Sequence, residues 1–361
     1  MWSTIGELGE FGVIERVTAR FPRTADVILG PGDDAAIVTA PDRRVVATTD
    51  LLVETRHFRR EWSSAEDVGR KAAAQNLADI AAMGARPTAL LVGLAAPPDL
   101  PVDWADGLAE GLRAECAFAG AAVVGGDTVS AGEITVAVTA LGDLQGLPAL
   151  LRDGALPGDV VAVTGFLGLS SVGYSLLEAG IAGAEDAVRA LGERARPGGA
   201  RAETADAVAA AAAGGPDDAP GWLACLREHR RPRPPYARGP EAVHLGARAM
   251  LDVSDGLVQD LGHIARASGV DVDVDSAALV PEPALSEAVA LLDGLGRPGR
   301  PAVQRMLFGG EDHALAAAFP PDTELPPQWR PVAAVTAPGA GGPRVTVDGA
   351  DAEPQGWEHF R

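Results

Sequence analysis

The chain has 361 residues, 47% hydrophobic and 22% charged, which suits about two domains with real cores and excludes a disordered polymer. Its 50 acidic residues against 30 basic ones leave a formal charge of −20, which argues against a nucleic-acid surface and against docking on an anionic membrane. Lys71 is the single lysine, and Cys116 and Cys225 stand far apart in no metal-binding spacing, so a reducing cytoplasm without a disulfide framework is expected. The start, MWSTIGELGEFGVIERV, carries Glu7, Glu10 and Glu15 and lacks the apolar stretch of a signal peptide.

In chain order, EFGVIERVTARF has helical spacing, and AAIVTA and RRVVATTDLLVE read as strands, the second ending at Asp50. SAEDVGRKAAAQNLADIAAMGA is a long helix with Ser64 as cap and Gly84 as stop. TALLVGLAAP is a strand, PVDWADGLAEGLRAECAFAG a second helix, and AAVVGGDTVS and EITVAVTALGDL two further strands. This α/β alternation closes a first domain at residues 1–147, leaving 148–361 as a second, α+β domain. The second domain opens with the strand, Gly-rich turn and helix of LPGDVVAVTGFLGLSSVGYSLLEAG. Residues 181–235, rich in Ala, Gly, Pro and Arg, are expected to hold helix pieces and loops. AVHLGARAMLDVSDGLVQDLGHIARASG gives helix, short strand and helix; VDVDVDSAALVP a strand; RMLFGGEDHALAAAFP a turn and strand; and GPRVTVDG a hairpin arm.

Aspartates gather at the edges of these apolar elements, beside Gly, Ser or Thr. Asp33 and Asp34 precede AAIV, Asp50 follows Thr48 and Thr49, and Asp79 lies in NLADIAAMGA. Asp127 follows Gly126, and Asp252 and Asp255 bracket Ser254. Taken singly, such an acid is usually a cap or turn former, so Asp255 reads equally as a helix cap and Asp127 as a turn residue. Taken together, with so little lysine, they ask for another source of positive charge. Clustered carboxylate oxygens suit a hard cation, above all Mg²⁺, which commonly arrives with a phosphate. A Walker lysine is absent, because Lys71 follows Arg70 and precedes Ala72, and no protein-kinase motif set is present. The acids Asp271, Asp273 and Asp275 with Glu282 mimic a calcium loop, but Ser276 replaces its glycine and alternating valines fit a half-exposed strand.

The motifs GPGDDAAIV, TTDLLVETRHF, NLADIAAMGARP, VVGGDT, LDVSDGLVQDLGHIARASG, GGEDHAL and GWEHF occur in this order over nearly the whole chain. In them the chain resembles the thiamine-monophosphate kinases, members of the superfamily named after aminoimidazole ribonucleotide synthetase. The resemblance implies a two-domain fold of that superfamily, α/β plus α+β, with the N-terminal sheet completed across a homodimer. It implies phosphorylation of thiamine monophosphate by ATP with several Mg²⁺ ions, the last step of thiamine diphosphate biosynthesis, with no covalent protein intermediate.

By position, the resemblance assigns Asp34, Thr48, Thr49, Asp50, Asp79, Asp127, Asp252 and Asp255 to metal. Gly126, Asp127, Arg152 and Ser254 go to ATP, and His57, Glu311 and Trp357 to thiamine monophosphate. Asp33 belongs to the motif without an assigned contact. The sequence departs from the family pattern at Thr55, where glycine is usual, and at His313 and Ala314, where Tyr and Glu are usual; all three bear on the substrate side. A selenophosphate synthetase would need a reactive N-terminal Cys or selenocysteine, and a hydrogenase-maturation dehydratase a C-terminal Cys. An acidic metal-binding scaffold is the non-enzymatic alternative; it would not need the glycine contexts of GGDT and SDGL.

Overall fold

The computed structural model describes residues 4–31, 35–183, 186 and 220–352. Two compact units emerge: Met1–Leu151 with Pro234–Asp252, and Arg152–Arg233 with Val253–Arg361. The first break thus falls a few residues beyond the expected 147, and a later segment returns to the first unit. Such a return depends on long-range packing, which local periodicity does not carry.

The first unit runs through α1 (Ile5–Leu8), α2 (Glu10–Thr18), β1 (Val27–Leu29), β2 (Ile37–Val38), β3 (Val46–Val53), α3 (Ala65–Ala82), β4 (Arg86–Ala96), α4 (Val102–Ala119), β5 (Ala122–Ser130) and β6 (Thr135–Asp143). After β7 (Val160–Thr164), α5 (Leu169–Glu178) and α6 (Leu223–Arg230), the chain returns to it with α7 (Arg238–His244) and β8 (Ala249–Val253). The second unit continues with α8 (Leu257–Ser268), β9 (Asp271–Val274), a 3₁₀ turn at Ser276–Ala278, α9 (Pro283–Gly294) and α10 (Ala302–Phe308). It ends with β10 (Ala314–Phe319), β11 (Arg330–Thr336), β12 (Val345–Val347) and β13 (Ala350–Asp351).

One strand is longer than the sequence suggests. β3 does not stop at Asp50 but continues to Val53, because its antiparallel register with β6 holds from Val46↔Gly142 to Val53↔Thr135. β5 carries GGDT inside the strand, paired in parallel with β4 up to Ala96↔Ser130. Asp127 is therefore a strand residue and not a turn former. RMLF, read as part of a turn, is instead the last turn of α10.

The four-stranded sheet of the first unit has the order β3-β6-β4-β5. Alternate residues point to opposite faces. Leu52, Val136, Val138 and Ala140 are fully buried on the face that receives α3. The other face exposes Leu51 at 52% and Val129 at 50%. α3 starts where expected: Ser64 accepts the Asp67 N–H while Asp67 returns a bond to the Ser64 N–H, a capping box. It ends against Gly84, whose φ is +73°.

The second unit contains a seven-stranded sheet of order β13-β12-β9-β11-β7-β10-β8. The division between units falls within β8, after Asp252. β10 is buried at every position, and Phe319 meets Trp329 edge-on with ring centroids 5.1 Å apart. The calcium-loop mimic is a strand only over Asp271–Val274, where Asp271 is buried rather than exposed, and it stops before the 3₁₀ turn at Ser276–Ala278. Asp271 accepts N–H bonds from Gly339 and Arg344, Asp273 accepts from Thr346 and Gly349, and Asp275 caps the 3₁₀ turn.

Candidate active site

In the first unit, β3 and α3 gather the first cluster. Thr48 and Asp50 lie on the helix-facing side of β3, two residues apart. Thr48 donates its hydroxyl to the Asp79 carboxylate at 2.8 Å. Asp50 is held through its backbone: its N–H donates to the Asn76 side-chain oxygen at 3.0 Å, and the Asn76 amide donates to the Ala72 carbonyl at 2.9 Å. Asn76 is fully buried. It supplies a backbone partner to an edge strand that hydrogen-bonds to β6 alone within its sheet. Sequence reasoning missed it; the available signal was an amide in the middle of an otherwise apolar helix face, three residues before Asp79. Thr49 points the other way, donating to the Val138 carbonyl at 3.0 Å and accepting from Thr139 at 3.1 Å.

His57 follows the end of β3 in a tight turn. Its Nδ1 accepts the Val53 N–H at 3.0 Å, so the proton of the neutral ring sits on Nε2. The buried Lys71 ammonium donates to the His57 carbonyl at 3.1 Å, fixing the turn from beneath. Thr55 adopts φ +69° in that turn. The position where the family resemblance expects glycine is thus one that glycine fits best, and a β-branched residue holds it here.

Gly126 and Asp127 lie on β5, the opposite edge of the sheet from β3. A Cβ at Gly126 would come within 1.9 Å of the Val92 carbonyl oxygen, so this close strand approach admits glycine only. Asp127 is exposed and accepts the Thr128 N–H at 2.8 Å. The register runs Asp50↔Val138, Val138↔Val92, Val92↔Gly126, which puts Asp127 on the face opposite Asp50. Three strand spacings separate them, roughly 14 Å. The first unit therefore brings Thr48, Asp50 and Asp79 together and keeps Asp127 apart.

In the second unit, the loop from β8 into α8 is organised by Asp260, a buried residue that the sequence reading also passed over. One of its carboxylate oxygens accepts three backbone N–H groups, from Ser254 at 3.0 Å, Asp255 at 3.0 Å and Gly256 at 3.1 Å. Asp255 is therefore not the cap of α8: Gly256 occupies that position and Asp260 reaches back to it. Asp252 is buried on β8 at the unit division. Arg152 is exposed, and its carbonyl accepts the Ser268 hydroxyl at 2.9 Å.

Glu311 stands on the turn between α10 and β10 with φ +62°, its N–H donating to the Ser254 carbonyl at 2.6 Å. Next to it, the buried Asp312 accepts the N–H groups of Gly168 at 2.6 Å and Ser170 at 3.0 Å, at the start of α5. Burial pushes the Asp312 carboxyl up to about 7, against the pull of those two donors. His313 is buried, with φ +53°. Ala314 begins β10 and is fully buried, which leaves no room there for a glutamate facing solvent.

Asp33, Asp34, Trp357 and most of 181–235 lie outside the described residues. Among the described residues, no three His, Cys, Asp or Glu side chains converge on one metal position. Cys116 and Cys225 are buried, and burial pushes their thiols up, Cys225 to about 12; neither is an activated nucleophile. No described helix is long and apolar enough to cross a membrane.

By the following similarities, the fold is of the aminoimidazole ribonucleotide synthetase-like class. A family model, "AIR synthase related protein, N-terminal domain", matches residues 32–144. The chain is 43% identical over 358 residues to the thiamine-monophosphate kinase of Mycobacterium tuberculosis, covering 99% of this chain and 93% of that one. The crystal structure of thiamine-monophosphate kinase from Stenotrophomonas maltophilia K279a superposes with a TM-score of 0.73 at 30% identity, covering 94% of this chain and 96% of that one. A structure of AaThiL complexed with AMPPCP and TMP gives a TM-score of 0.70 at 30% identity and 98% coverage of both chains. The chain belongs to the thiamine-monophosphate kinase family.

Proposed function

We propose that the chain transfers the γ-phosphoryl group of ATP directly, in line, onto the phosphate of thiamine monophosphate. The observation that carries this reading is the near-complete match to a thiamine-monophosphate kinase, together with a β3–α3 cluster of oxygen donors in the motifs that carry the family resemblance. Acceptor and donor are both anionic, so catalysis must first offset their repulsion. Thr48, Asp50 and Asp79 present hydroxyl and carboxylate oxygens without sulfur or imidazole, a donor set that fits Mg²⁺. When bound there, Mg²⁺ supplies the positive charge that lets two phosphates approach.

The chain's own residues do the rest. Asn76 and the Thr48–Asp79 bond fix the oxygens before substrate arrives, so little reorganisation is needed. Asp260 fixes the backbone of Ser254 and Asp255, which the family pattern directs to ATP and metal. Arg152 offers a bidentate clamp for phosphate. His57 presents its Nε2 proton as a donor, and Glu311 a carboxylate for the cationic or amino part of the thiamine moiety. Asp34 and Trp357 complete the metal and substrate sets in this reading.

The working unit in this reading is a homodimer. Two ligands of one Mg²⁺ lie within about 4 Å of each other. Asp50 and Asp127 of one chain stand on opposite edges and opposite faces of the sheet, so one ion cannot take both. A second copy laid against the exposed face of Leu51, Leu91 and Val129 would cover that apolar surface, with Asp127 on the covered face and Asp50 on the helix-facing side.

The test is direct. Incubation with Mg²⁺-ATP and thiamine monophosphate should yield thiamine diphosphate and ADP in equal amounts. ATP binding without thiamine diphosphate would overturn the reading in favour of another ATP-using enzyme of this fold.

A further inference from the structure

His229 is buried at 5% exposure near the end of α6, and no part of the expected site includes it. It reaches Glu311 because α5 and α6 pack unusually close. A Cβ at Gly173, in the middle of α5, would stand 2.1 Å from the Cys225 carbonyl oxygen and 2.9 Å from the His229 Cβ. That approach sets the His229 Nδ1 at 3.3 Å from the Glu311 carboxylate and 3.2 Å from the Ser170 hydroxyl. The Tyr174 ring lies against the imidazole with centroids 5.6 Å apart, limiting its rotation.

Chemistry decides the tautomer. An ionised carboxylate only accepts hydrogen bonds, so Nδ1 carries the proton and the Ser170 oxygen shares it. Glu311 itself is 39% exposed, on a turn that its own left-handed backbone and the anchored Asp312 hold against the start of α5. One end of the carboxylate is thereby fixed by a buried donor while the side chain still opens to a ligand.

We propose that His229 is a positioning residue for substrate selection: its Nδ1–H aims the Glu311 carboxylate at the cationic or amino group of the acceptor substrate. This rests on the reading of Glu311 as a contact of thiamine monophosphate. His229 acts through Glu311 and touches neither ATP nor the transferred phosphoryl group.

The experiment compares two polar replacements of similar burden. In H229N the amide N–H takes the place of Nδ1–H; in H229Q the amide lies further out, near the position of Nε2. H229Q should raise KM for thiamine monophosphate about tenfold with KM for ATP unchanged, the loss expected for one misdirected charge-assisted contact. H229N should restore that KM to within about threefold of wild type. In an E311A background, H229Q should add nothing further, since the group it positions is gone. Equal KM values for H229N and H229Q, or a full additional loss in the E311A background, would overturn the proposal. Absence of wild-type turnover would instead overturn the kinase reading, and the inference with it, before any variant is compared.

Discussion

Thr55 shows how a single residue can depart from what its backbone prefers. Its φ of +69° is an uncommon conformation for a β-branched side chain and costs on the order of 1–3 kcal/mol. Replacement by glycine removes that strain but adds roughly 0.5–1 kcal/mol of unfolded-chain entropy. Thr55→Gly should therefore raise stability by about 1 kcal/mol, read as a higher urea midpoint at unchanged slope. A lower midpoint would mean that the threonine side chain contributes contacts that outweigh its strain. Asp312 carries a different signature, in pH. Burial raises its folded pKa to about 7, above the unfolded value of 3.8, so the folded state binds more protons between those limits. Its contribution to stability is fully present below the unfolded pKa and is lost as pH rises through the folded one. Asn at this position does not titrate. The stability of wild type relative to Asp312→Asn should therefore fall between about pH 4 and about pH 8, measured by chemical denaturation; a flat difference would show that Asp312 titrates normally.

At the scale of elements, helix contacts set what the strands can present. Gly173→Ala gains about 1 kcal/mol of helix propensity, yet its methyl would collide with the α6 backbone at the Cys225 carbonyl. Overpacking of this kind costs roughly 1–3 kcal/mol or more, so a net loss of about 2 kcal/mol is expected in thermal or urea unfolding. The same change should raise KM for thiamine monophosphate, because it moves His229 away from Glu311. Asn76 plays the comparable part between α3 and β3. Asn76→Ala leaves the Asp50 N–H without its acceptor, a loss of about 1–3 kcal/mol, and should lower turnover by loosening Asp50. Unchanged stability and turnover would show that another acceptor takes over.

At the scale of the whole molecule, the separation of Asp50 from Asp127 makes a prediction about assembly. Asp50→Asn and Asp127→Asn should each abolish turnover while leaving the fold intact. If one site takes Asp50 from one chain and Asp127 from another, mixed dimers contain one site with both aspartates. Random reassembly of the two inactive proteins should then recover about a quarter of wild-type activity. Complete subunit exchange, shown by mass, with no recovered activity would place both residues in the same chain's site. Leu51→Arg, on the exposed sheet face, should shift the protein to monomer in sedimentation and reduce turnover in parallel.

Local order was legible in the sequence wherever one short segment contains its own cause. The Ser64 cap, the Gly84 stop and the strands at β9 and β10 all depend on neighbours within a few residues, and all are present. The Gly and Asp motifs were legible too, as residue types suited to phosphate and hard cations. Strand pairing was not: β3 runs past Asp50 because it follows β6, a partner distant in sequence. Face and edge were equally hidden, since they follow from sheet order, and a one-residue change of register would invert them. Asn76, Asp260 and His229 escaped notice for the same reason: their roles consist of bonds to backbone or side chains that only tertiary packing brings near. The sequence by itself determined which chemistry this chain can hold. The tertiary structure decided which of those groups meet, because distances between segments are set by packing and loop closure, not by local propensity.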